Sequence, residues 1–501
     1  YPMNLDLLYI IPLYFGNDIV PKYIHFAFAL LTAGLIFNYL KIRISTVYGL
    51  LGALFFLSLP VIVKLSITVY VDLGLIFFST CSLIYLLKWL ENEFKFHFLI
   101  ISAIACGLAL GTKYNALITL LLLALFVPYL FAKYHASLTS GEDHNNICKT
   151  SRSRPEIKST TIRVIVYSAV FISIALIVFS PWMIRNYLWT DNPVYPLYDG
   201  WFNPVPADAA ESSGSLGHFA FRKIFFKETL WQTLMIPVRI FFEGQDDLPQ
   251  YFDGKLNPFL FFLPFFAFFN LKNISPSIKA EKKILSTFAV LFFFFAFFQT
   301  DMRIRYIAPI IPPLIILAMY GLNQINIFIA RHFSGTFRRV IMVTILVMVT
   351  FMFGINAAYI RGQFKYVDPM SYLSGRLDRE AYIELYRPEY SAIQYANLNL
   401  RGNSKILSLY LGNRRYYSDK EMFFNDAFFR NSVKEAEPPE NILMYLKRQG
   451  ITHLLIRYDL FNQWSNRQLN DRNKKVLGTF FKNNTHRLFS GGGYGLYQLQ
   501  F

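Results

Sequence analysis

The distribution of apolar residues along the chain predicts a bundle of membrane-spanning helices followed by a water-soluble region. Residues 284–298 and 340–358 contain no charged side chain, whereas the region after Arg361 is rich in Arg, Lys, Asp, Asn and Tyr. A helix needs about 20 apolar residues to cross roughly 30 Å of hydrocarbon. On that length we predict ten spans, near residues 22–40, 46–63, 72–88, 97–112, 114–132, 162–181, 257–271, 284–300, 306–325 and 340–360.

Two of these segments need a further argument. Residues 97–132 would make a single helix of about 54 Å, which is too long for one crossing, so we divide them at residues 111–113. Residues 257–271 are short and contain Pro258 and Pro264, so by length alone they could be re-entrant. We count them as a crossing because the basic cluster at 331–339 then lies on the same side as the other basic loops.

The loop charges orient the predicted bundle, because loops rich in Lys and Arg stay in the cytoplasm. The opposite, short loops hold only Lys64, Lys113, Arg303 and Arg305. Ten crossings place both ends on the extracytoplasmic side, so we expect a further span before residue 1. The predicted parts are the end of a first outer loop at 1–21, a membrane domain at 22–360 with an outer loop at 182–256, and an extracytoplasmic α/β domain at 361–501.

Three further segments complete this organisation. Residues 218–242 mix apolar and charged positions and predict helices lying on the membrane surface. The polar residues 137–161 predict a flexible cytoplasmic loop. The tail alternates helix-like text at 388–398 and 439–449 with strand-like text at 406–411, 453–457 and 494–499.

Composition agrees with a membrane protein and excludes several other classes. The chain is 54% hydrophobic, and its net charge of +17 is spread over loops between apolar segments, which argues against a nucleic-acid partner. Cys81 and Cys106 lie in predicted spans and Cys148 in a polar loop, so no disulfide framework is expected. The sequence contains no phosphate-binding glycine loop, zinc-ligand spacing or nucleophile elbow.

Candidate chemistry lies where the spans meet the outer surface. Asp72 could act as a general base or hold a divalent cation, but it could equally cap a helix. Lys113 could bind a ligand or extend to the lipid headgroups. Arg303 and Arg305 oppose the positive-inside bias, and the alternative for them is pairing with Asp301 and headgroups. A cationic outer rim suits an anionic, membrane-embedded ligand such as a lipid phosphate.

Several short motifs, in this order, resemble the GT-C glycosyltransferases, specifically bacterial membrane enzymes similar to lipid-carrier-dependent mannosyl and aminoarabinose transferases. The motifs are Tyr1-Pro2-Met3-Asn4, Lys22-Tyr23-Ile24-His25, Tyr70-Val71-Asp72, the segment Gly107-Leu108-Ala109-Leu110-Gly111-Thr112-Lys113-Tyr114, Arg185-Asn186, Asn192-Pro193-Val194-Tyr195-Pro196, and Arg303-Ile304-Arg305-Tyr306 with Pro309 and Pro312.

The resemblance implies an enzyme of the bacterial cytoplasmic membrane that moves a sugar from a polyprenyl-phosphate donor to a lipid, glycan or protein acceptor of the cell envelope. It further implies inversion at the anomeric carbon at the outer membrane face. Asp72 matches the second acidic position of the family, and the principal carboxylate is expected upstream of residue 1. No motif equips Asp6 as its substitute. The implied substrate-binding residues are Lys113, Arg303, Arg305, Tyr306, His25 and Arg185.

Two other classes of function remain open at this point. A multi-pass transporter also places ionisable residues at helix ends that face the bundle, although we find no inverted repeat. A non-catalytic envelope-assembly protein would depend on its outer tail and would tolerate changes at Asp72 and Arg305.

Overall fold

The computed structural model describes residues 1–139, 154–204, 217–269, 276–297, 302–435 and 440–500. It divides the chain into two compact units, residues 1–363 and 364–501. Asp301 and most of the predicted polar loop at 137–161, with Cys148, lie outside the described residues.

The first unit is helical throughout its regular structure. Its helices are α1 Asn4–Tyr14, α2 Val20–Arg43, α3 Thr46–Ser58, α4 Pro60–Ser66, α5 Asp72–Glu91, α6 Phe96–Leu110, α7 Ala116–Thr139, α8 Arg154–Thr190, α9 Asp199–Phe202, α10 His218–Phe226, α11 Leu230–Leu234, α12 Ile236–Arg239, α13 Phe259–Phe266, α14 Pro276–Phe297, α15 Ile311–His332 and α16 Gly335–Val367. Short 3-10 turns lie at Pro249–Tyr251, Ile304–Tyr306 and Ala308–Ile310.

Six helices among the described residues are long and apolar enough to cross a membrane. They are the helices at 20–43, 72–91, 116–133, 161–190, 308–332 and 335–367. The pair α3 and α4, bent by 64° at its break, makes a seventh if it counts as one span. The predicted division at 111–113 is confirmed, since α6 ends at Leu110 and α7 begins at Ala116.

In place of the predicted crossing at 257–271, the described residues form only the short helix α13. Helix α13 has only 8 residues, which rise about 12 Å, and Pro264 lies inside it. That length is less than half of a hydrocarbon core. The helices in the predicted spans 97–112 and 284–300 are longer, with 15 residues in α6 and 22 in α14. The side of the membrane on which each loop lies therefore stays a prediction.

Close helix contacts in this unit rely on glycines. A Cβ added at Gly321 on α15 would lie 2.2 Å from the Leu263 carbonyl oxygen on α13. One added at Gly107 on α6 would lie 2.6 Å from the Ala175 carbonyl oxygen on α8. Small residues allow this approach in membrane helices, where packing replaces the hydrophobic driving force between helices.

The second unit is an α/β module. Its elements are α17 Pro369–Leu373, α18 Arg379–Tyr386, α19 Tyr390–Asn399, β1 Lys405–Leu409, β2 Glu421–Phe423, α20 Asp426–Glu435, α21 Glu440–Arg448, β3 His453–Arg457, α22 Tyr458–Gln468, α23 Asp471–Asn484, β4 Thr485–Gly491 and β5 Tyr494–Leu499.

The sheet of this module has the order β2-β1-β3-β5-β4. Strand β1 pairs in parallel with β2 and β3, while β5 pairs antiparallel with β3 and β4. One face packs against α19, and the other packs against α20 to α23. The predicted fold class, a helical membrane bundle with a C-terminal α/β module, is confirmed.

The segment 218–242, predicted to be helical, folds as α10, α11 and α12 around a buried ion pair. Arg222 is fully buried and binds Glu228 through two hydrogen bonds of 2.6 and 2.9 Å, and its Nη2 also donates to the Gln250 carbonyl. Glu228 accepts a further bond from Arg239. The pair therefore fixes the loop at 245–255 against these short helices.

We expect Arg222→Ala to lower the free energy of unfolding by about 3 kcal/mol, because it leaves the buried Glu228 carboxylate without its main partner. Thermal unfolding of the detergent-solubilised protein measures this as a lower midpoint. Lys223→Ala is the matched control, since the neighbouring Lys223 is exposed. Equal midpoints for the two variants would contradict the prediction.

Candidate active site

A cavity of about 470 Å³ lies where the start of α1, the start of α5, the turn between α6 and α7 and the 3-10 turn at 304–306 meet. Its polar and aromatic lining is Tyr1, Asp6, Tyr70, Asp72, Thr112, Lys113, Tyr114, Asn115, Arg305 and Tyr306. These residues come from four separate parts of the sequence. Three of the predicted site motifs therefore meet in one place.

Asp72 and Lys113 form an ion pair in this cavity. Asp72 is 2% exposed, and its Oδ1 lies 2.6 Å from the Lys113 Nζ. The ammonium group also lies 5.0 Å from the centre of the Tyr306 ring. Val71 occupies the N-cap of α5, and Asp72 makes no side-chain cap bond. Asp72 instead occupies the first turn, where the helix dipole favours a carboxylate.

Histidine 25 positions the start of α5 and does not line the cavity. Its ring is fully buried, and its Nδ1 lies 3.0 Å from the Leu65 carbonyl oxygen and 2.9 Å from that of Thr68. These acceptors require the proton on Nδ1, so Nε2 accepts the hydrogen bond of 3.0 Å from the Leu73 N–H. Both ring nitrogens are thus occupied by backbone groups.

Arg305 brings a second positive charge into the cavity. Its guanidinium lies 4.9 Å from the ring centre of Tyr70 and 5.4 Å from that of Tyr306. Its Nε is buried and has no hydrogen-bond partner among the described residues. Burial opposes the charge of Arg305, but the Asp72 carboxylate and the neighbouring tyrosines raise its pKa. A group with acceptor oxygens would complete its hydrogen bonding.

Arg303 lies in a separate ion cluster outside the cavity lining. Its Nη1 is 3.2 Å from Asp253, whose other carboxylate oxygen is 3.0 Å from the Lys64 Nζ. Lys64 also lies 3.2 Å from Asp246. Although burial works in the opposite direction, bonding to Lys64 holds the pKa of Asp253 below its usual value. Of the four predicted rim cations, two line the cavity and two hold the loop at 245–255.

This loop joins two distant features of the unit. The Val61 N–H, at the break between α3 and α4, donates to the Lys255 carbonyl at 3.1 Å. The Ile304 N–H, beside Arg305, donates to the Phe252 carbonyl at 2.9 Å. A Cβ added at Gly254 would lie 3.1 Å from Ile304, and one added at Gly244 would lie 2.4 Å from the Gly254 carbonyl oxygen.

Arg185 lies beside the cavity without lining it. Its guanidinium is 5.3 Å from the Trp182 ring and 4.5 Å from the Trp189 ring, and its Nη1 is 3.2 Å from the Met3 sulfur. The next residue, Asn186, donates to the Tyr114 hydroxyl at 2.9 Å, and that hydroxyl donates to the Tyr195 carbonyl at 2.8 Å. The motifs around 186 and 195 are thus connected through Tyr114.

Asp6 is a cavity residue that the sequence reasoning set aside. Desolvation raises the pKa of its carboxyl group above the usual value, and no basic side chain pairs with it in the described part of the chain. Leu5 and Tyr9 are buried and lie one helical turn apart, so their spacing indicates which face of α1 packs against the other helices. Helical spacing fixes the face of α1, and the Tyr9 hydroxyl donates to the Tyr70 carbonyl at 2.6 Å, next to Asp72.

The donor set does not fit a protein-bound divalent cation. Among the residues that the structure describes, no group of three or more His, Cys, Asp or Glu side chains could hold a metal ion. Asp72, the predicted metal ligand, has Lys113 as its partner. Asp6 is the other carboxylate of the cavity lining, and two carboxylates supply few of the six or more oxygen ligands that such ions take.

Residues 1–186 match the family described as dolichyl-phosphate-mannose-protein mannosyltransferase. This segment contains Asp6, Asp72 and Lys113. No curated protein matches the sequence.

Solved structures of membrane enzymes show a distant likeness. ArnT from Cupriavidus metallidurans in the apo state is 14% identical with a TM-score of 0.46, over 95% of this chain and 83% of that chain. The oligosaccharyltransferase of Archaeoglobus fulgidus in its apo form is 11% identical with a TM-score of 0.43, over 93% of this chain and 61% of that chain. The chain thus spans less than two thirds of the archaeal enzyme. With TM-scores below 0.5, these likenesses decide no detail of the site.

The family match covers the part of the chain in which the sequence placed most of the GT-C motifs, and the motifs that contain Asp72 and Lys113 meet in the cavity described above. The family match over residues 1–186 and the apolar helices support the predicted resemblance to multi-pass membrane glycosyltransferases of the GT-C superfamily.

Proposed function

We propose that the chain transfers a sugar from a polyprenyl-phosphate donor to an acceptor of the cell envelope, with the cavity of Asp72, Lys113 and Arg305 as the active site. The observation that carries the proposal is the buried Nε of Arg305, which lies beside the Asp72–Lys113 pair and has no hydrogen-bond partner among the residues that the structure describes. The family that matches residues 1–186 is named for a dolichyl-phosphate-mannose donor, which supports this donor class.

The charges of the cavity suit a leaving phosphate. Lys113 and Arg305 supply two positive charges, and Tyr306 lies under both of them. When the acceptor oxygen attacks the anomeric carbon, the bond from that carbon to the phosphate oxygen breaks and negative charge develops on the phosphate. Cations already held in place stabilise that charge without reorganisation. A single displacement of this kind inverts the anomeric configuration.

The two carboxylates take different roles in this proposal. Asp6 is the general base that accepts the acceptor proton, because desolvation raises its pKa and no basic side chain among the described residues pairs with it. Asp72 holds Lys113, and through its charge also Arg305, in place towards the phosphate. Tyr306 contributes its ring, while His25, Arg185 and Arg303 position the surrounding segments.

The loop charges and the resemblance to the GT-C superfamily support a membrane face and a class of acceptor for this proposal. We place the cavity at the extracytoplasmic face of the bacterial cytoplasmic membrane, with residues 1–21 outside, 22–360 in the membrane domain and 361–501 outside. The acceptor is then a lipid, a glycan or a protein of the cell envelope.

The purified chain in proteoliposomes, supplied with radiolabelled polyprenyl-phosphate sugars and an extract of cell-envelope acceptors, tests the proposal. We expect label to move from the carrier to an acceptor, with polyprenyl phosphate as the second product. Passage of free sugar across the vesicle membrane without any transfer would support a transporter and would contradict the proposal.

Replacing Asp6 by Asn tests the assigned base through pH dependence. A base works only when deprotonated, so wild-type transfer should fall as the pH drops through the Asp6 pKa, which desolvation places above the usual carboxyl value. The variant should lose about 10²–10⁴-fold in rate and should no longer show that acidic limb in kcat/KM. An unchanged acidic limb would assign the base elsewhere.

A further inference from the structure

The C-terminal unit contains a second cavity, of about 300 Å³, at the carboxyl ends of two parallel strands. Tyr410 directly follows β1, and α22 directly follows the neighbouring strand β3. The remaining lining comes from Arg430 on α20 and from α22. In open α/β sheets, ligands bind in crevices at this edge, because the chain leaves adjacent parallel strands there.

Two arginine side chains line this cavity. Arg430 is half-buried and Arg467 is exposed, and neither has a carboxylate partner within the part of the chain that the structure describes. Elsewhere in the same unit, Arg414 pairs with Glu389 and Arg457 pairs with Asp459. Guanidinium groups bind carboxylates and phosphates through paired hydrogen bonds, so the two arginines favour an anionic ligand.

Two aromatic side chains of the cavity have unsatisfied polar groups. Trp464 is 5% exposed, and neither its Nε1 nor the Tyr410 hydroxyl has a hydrogen-bond partner in the described ranges. Most buried polar groups are paired, so two neighbouring exceptions call for an explanation. Tyr410 also has a φ of +64°, and its N–H donates to Asp426 at 2.9 Å. A bulky residue in the left-handed region is typical of functional segments.

We propose that this cavity binds an anionic saccharide. The carboxylate or phosphate of the sugar lies against Arg430 and Arg467, and its hydroxyls bond to the Gln463 and Gln468 amides, which offer donors and acceptors together. The volume is at the lower limit of small-molecule pockets and suits one charged sugar residue, not an extended peptide. The choice of a sugar rests on the proposed function, whereas the choice of an anion rests on the arginines alone.

Ligand binding to the full chain in detergent tests this inference. The probes are glucuronate and glucose 6-phosphate, with neutral glucose for comparison, and the readouts are saturation-transfer NMR and tryptophan fluorescence. We expect both anionic sugars to bind more tightly than glucose. The double variant Arg430→Gln/Arg467→Gln should weaken their binding at least about ten-fold, as expected for lost charged hydrogen bonds. Trp464→Phe should remove the fluorescence change.

Arg448→Gln is the matched control, since Arg448 is an exposed arginine at the end of α21 and lies outside the cavity lining. The single variant Arg467→Gln alters only an exposed side chain, so it tests binding even if the double variant fails to fold. Three results would overturn the inference. Glucose could bind as tightly as the anionic sugars, the affinity could stay unchanged in both Arg467→Gln and the double variant, or the chain could prefer a glutamate-rich peptide. The binding readout needs no transfer activity, so its failure is distinct from that of the proposed function.

Discussion

Replacing Arg305 by alanine is expected to lower the rate of sugar transfer by about 10²–10³-fold, the effect of removing one preorganised donor from developing negative charge. Its guanidinium is held between Tyr70 and Tyr306, and its Nε has no hydrogen-bond partner in the described part of the chain. The loss should appear mainly in kcat, because the phosphate gains charge as the bond breaks. Single-turnover transfer from a polyprenyl-phosphate sugar measures it.

Arg303→Gln is the control within the same loop. Arg303 pairs with Asp253 and does not line the cavity, so we expect transfer within a few-fold of the wild-type rate. A lower unfolding midpoint is expected for this variant, since it breaks part of an ion cluster. If both variants lost activity equally, the distinction between a phosphate-binding arginine and a structural one would be wrong.

Replacing Asp72 by asparagine is expected to reduce transfer by about 10²-fold or more, because Lys113 would lose the partner that holds it in place. The Asp72 side chain is almost completely buried, so a control on an exposed carboxylate, Glu93→Gln, separates this loss from a general charge effect. Initial rates of transfer provide the measurement.

A double-mutant cycle with Lys113→Met shows whether the pair acts as a unit. Residues that act together lose little more when both are changed than when one is changed. We therefore expect Asp72→Asn/Lys113→Met to be close to the worse single variant. Fully additive losses would mean that Asp72 acts on the reaction independently of Lys113.

Much of the fold could be predicted because membrane helices are specified by local composition. The segments around 22–40, 72–88 and 114–132 are long apolar runs, and the structure has a span-length helix at each of them. The segment at 257–271 is equally apolar, but it forms a helix of only eight residues. Pro258 and Pro264 indicate a short helix, since proline restricts helix propagation. The position of the basic cluster at 331–339 nevertheless favoured a full crossing in the sequence analysis.

The sequence identified several residues of the candidate site, but it did not show which of them lie together. Asp72, Lys113 and Arg305 were selected from loop charges, and the structure brings them together. Arg303 has the same local pattern as Arg305, but Asp253, 50 residues away in sequence, determines its partner. Asp6 lies in no recognised motif, and only the spacing of Leu5 and Tyr9 on α1 could have indicated that it faces the other cavity residues.

The C-terminal module shows the same limit. Strands β3 and β5 are rich in buried apolar residues and were predicted at their observed bounds. Strand β4, at one edge of the sheet, has mostly solvent-accessible positions, so its sequence carries no alternating pattern. The cavity at Tyr410 depends on strand order, which no local sequence pattern specifies.

The loop at 245–255 affects how inactive variants should be interpreted. It is bonded at Lys255 to the break between α3 and α4 and at Phe252 to the backbone of Ile304. An alanine at Gly244 or Gly254 would push on this loop and so displace the segment of Arg305, although neither glycine lines the cavity. Mutations that abolish activity there would mark a steric displacement of the Arg305 segment and not a lost substrate contact.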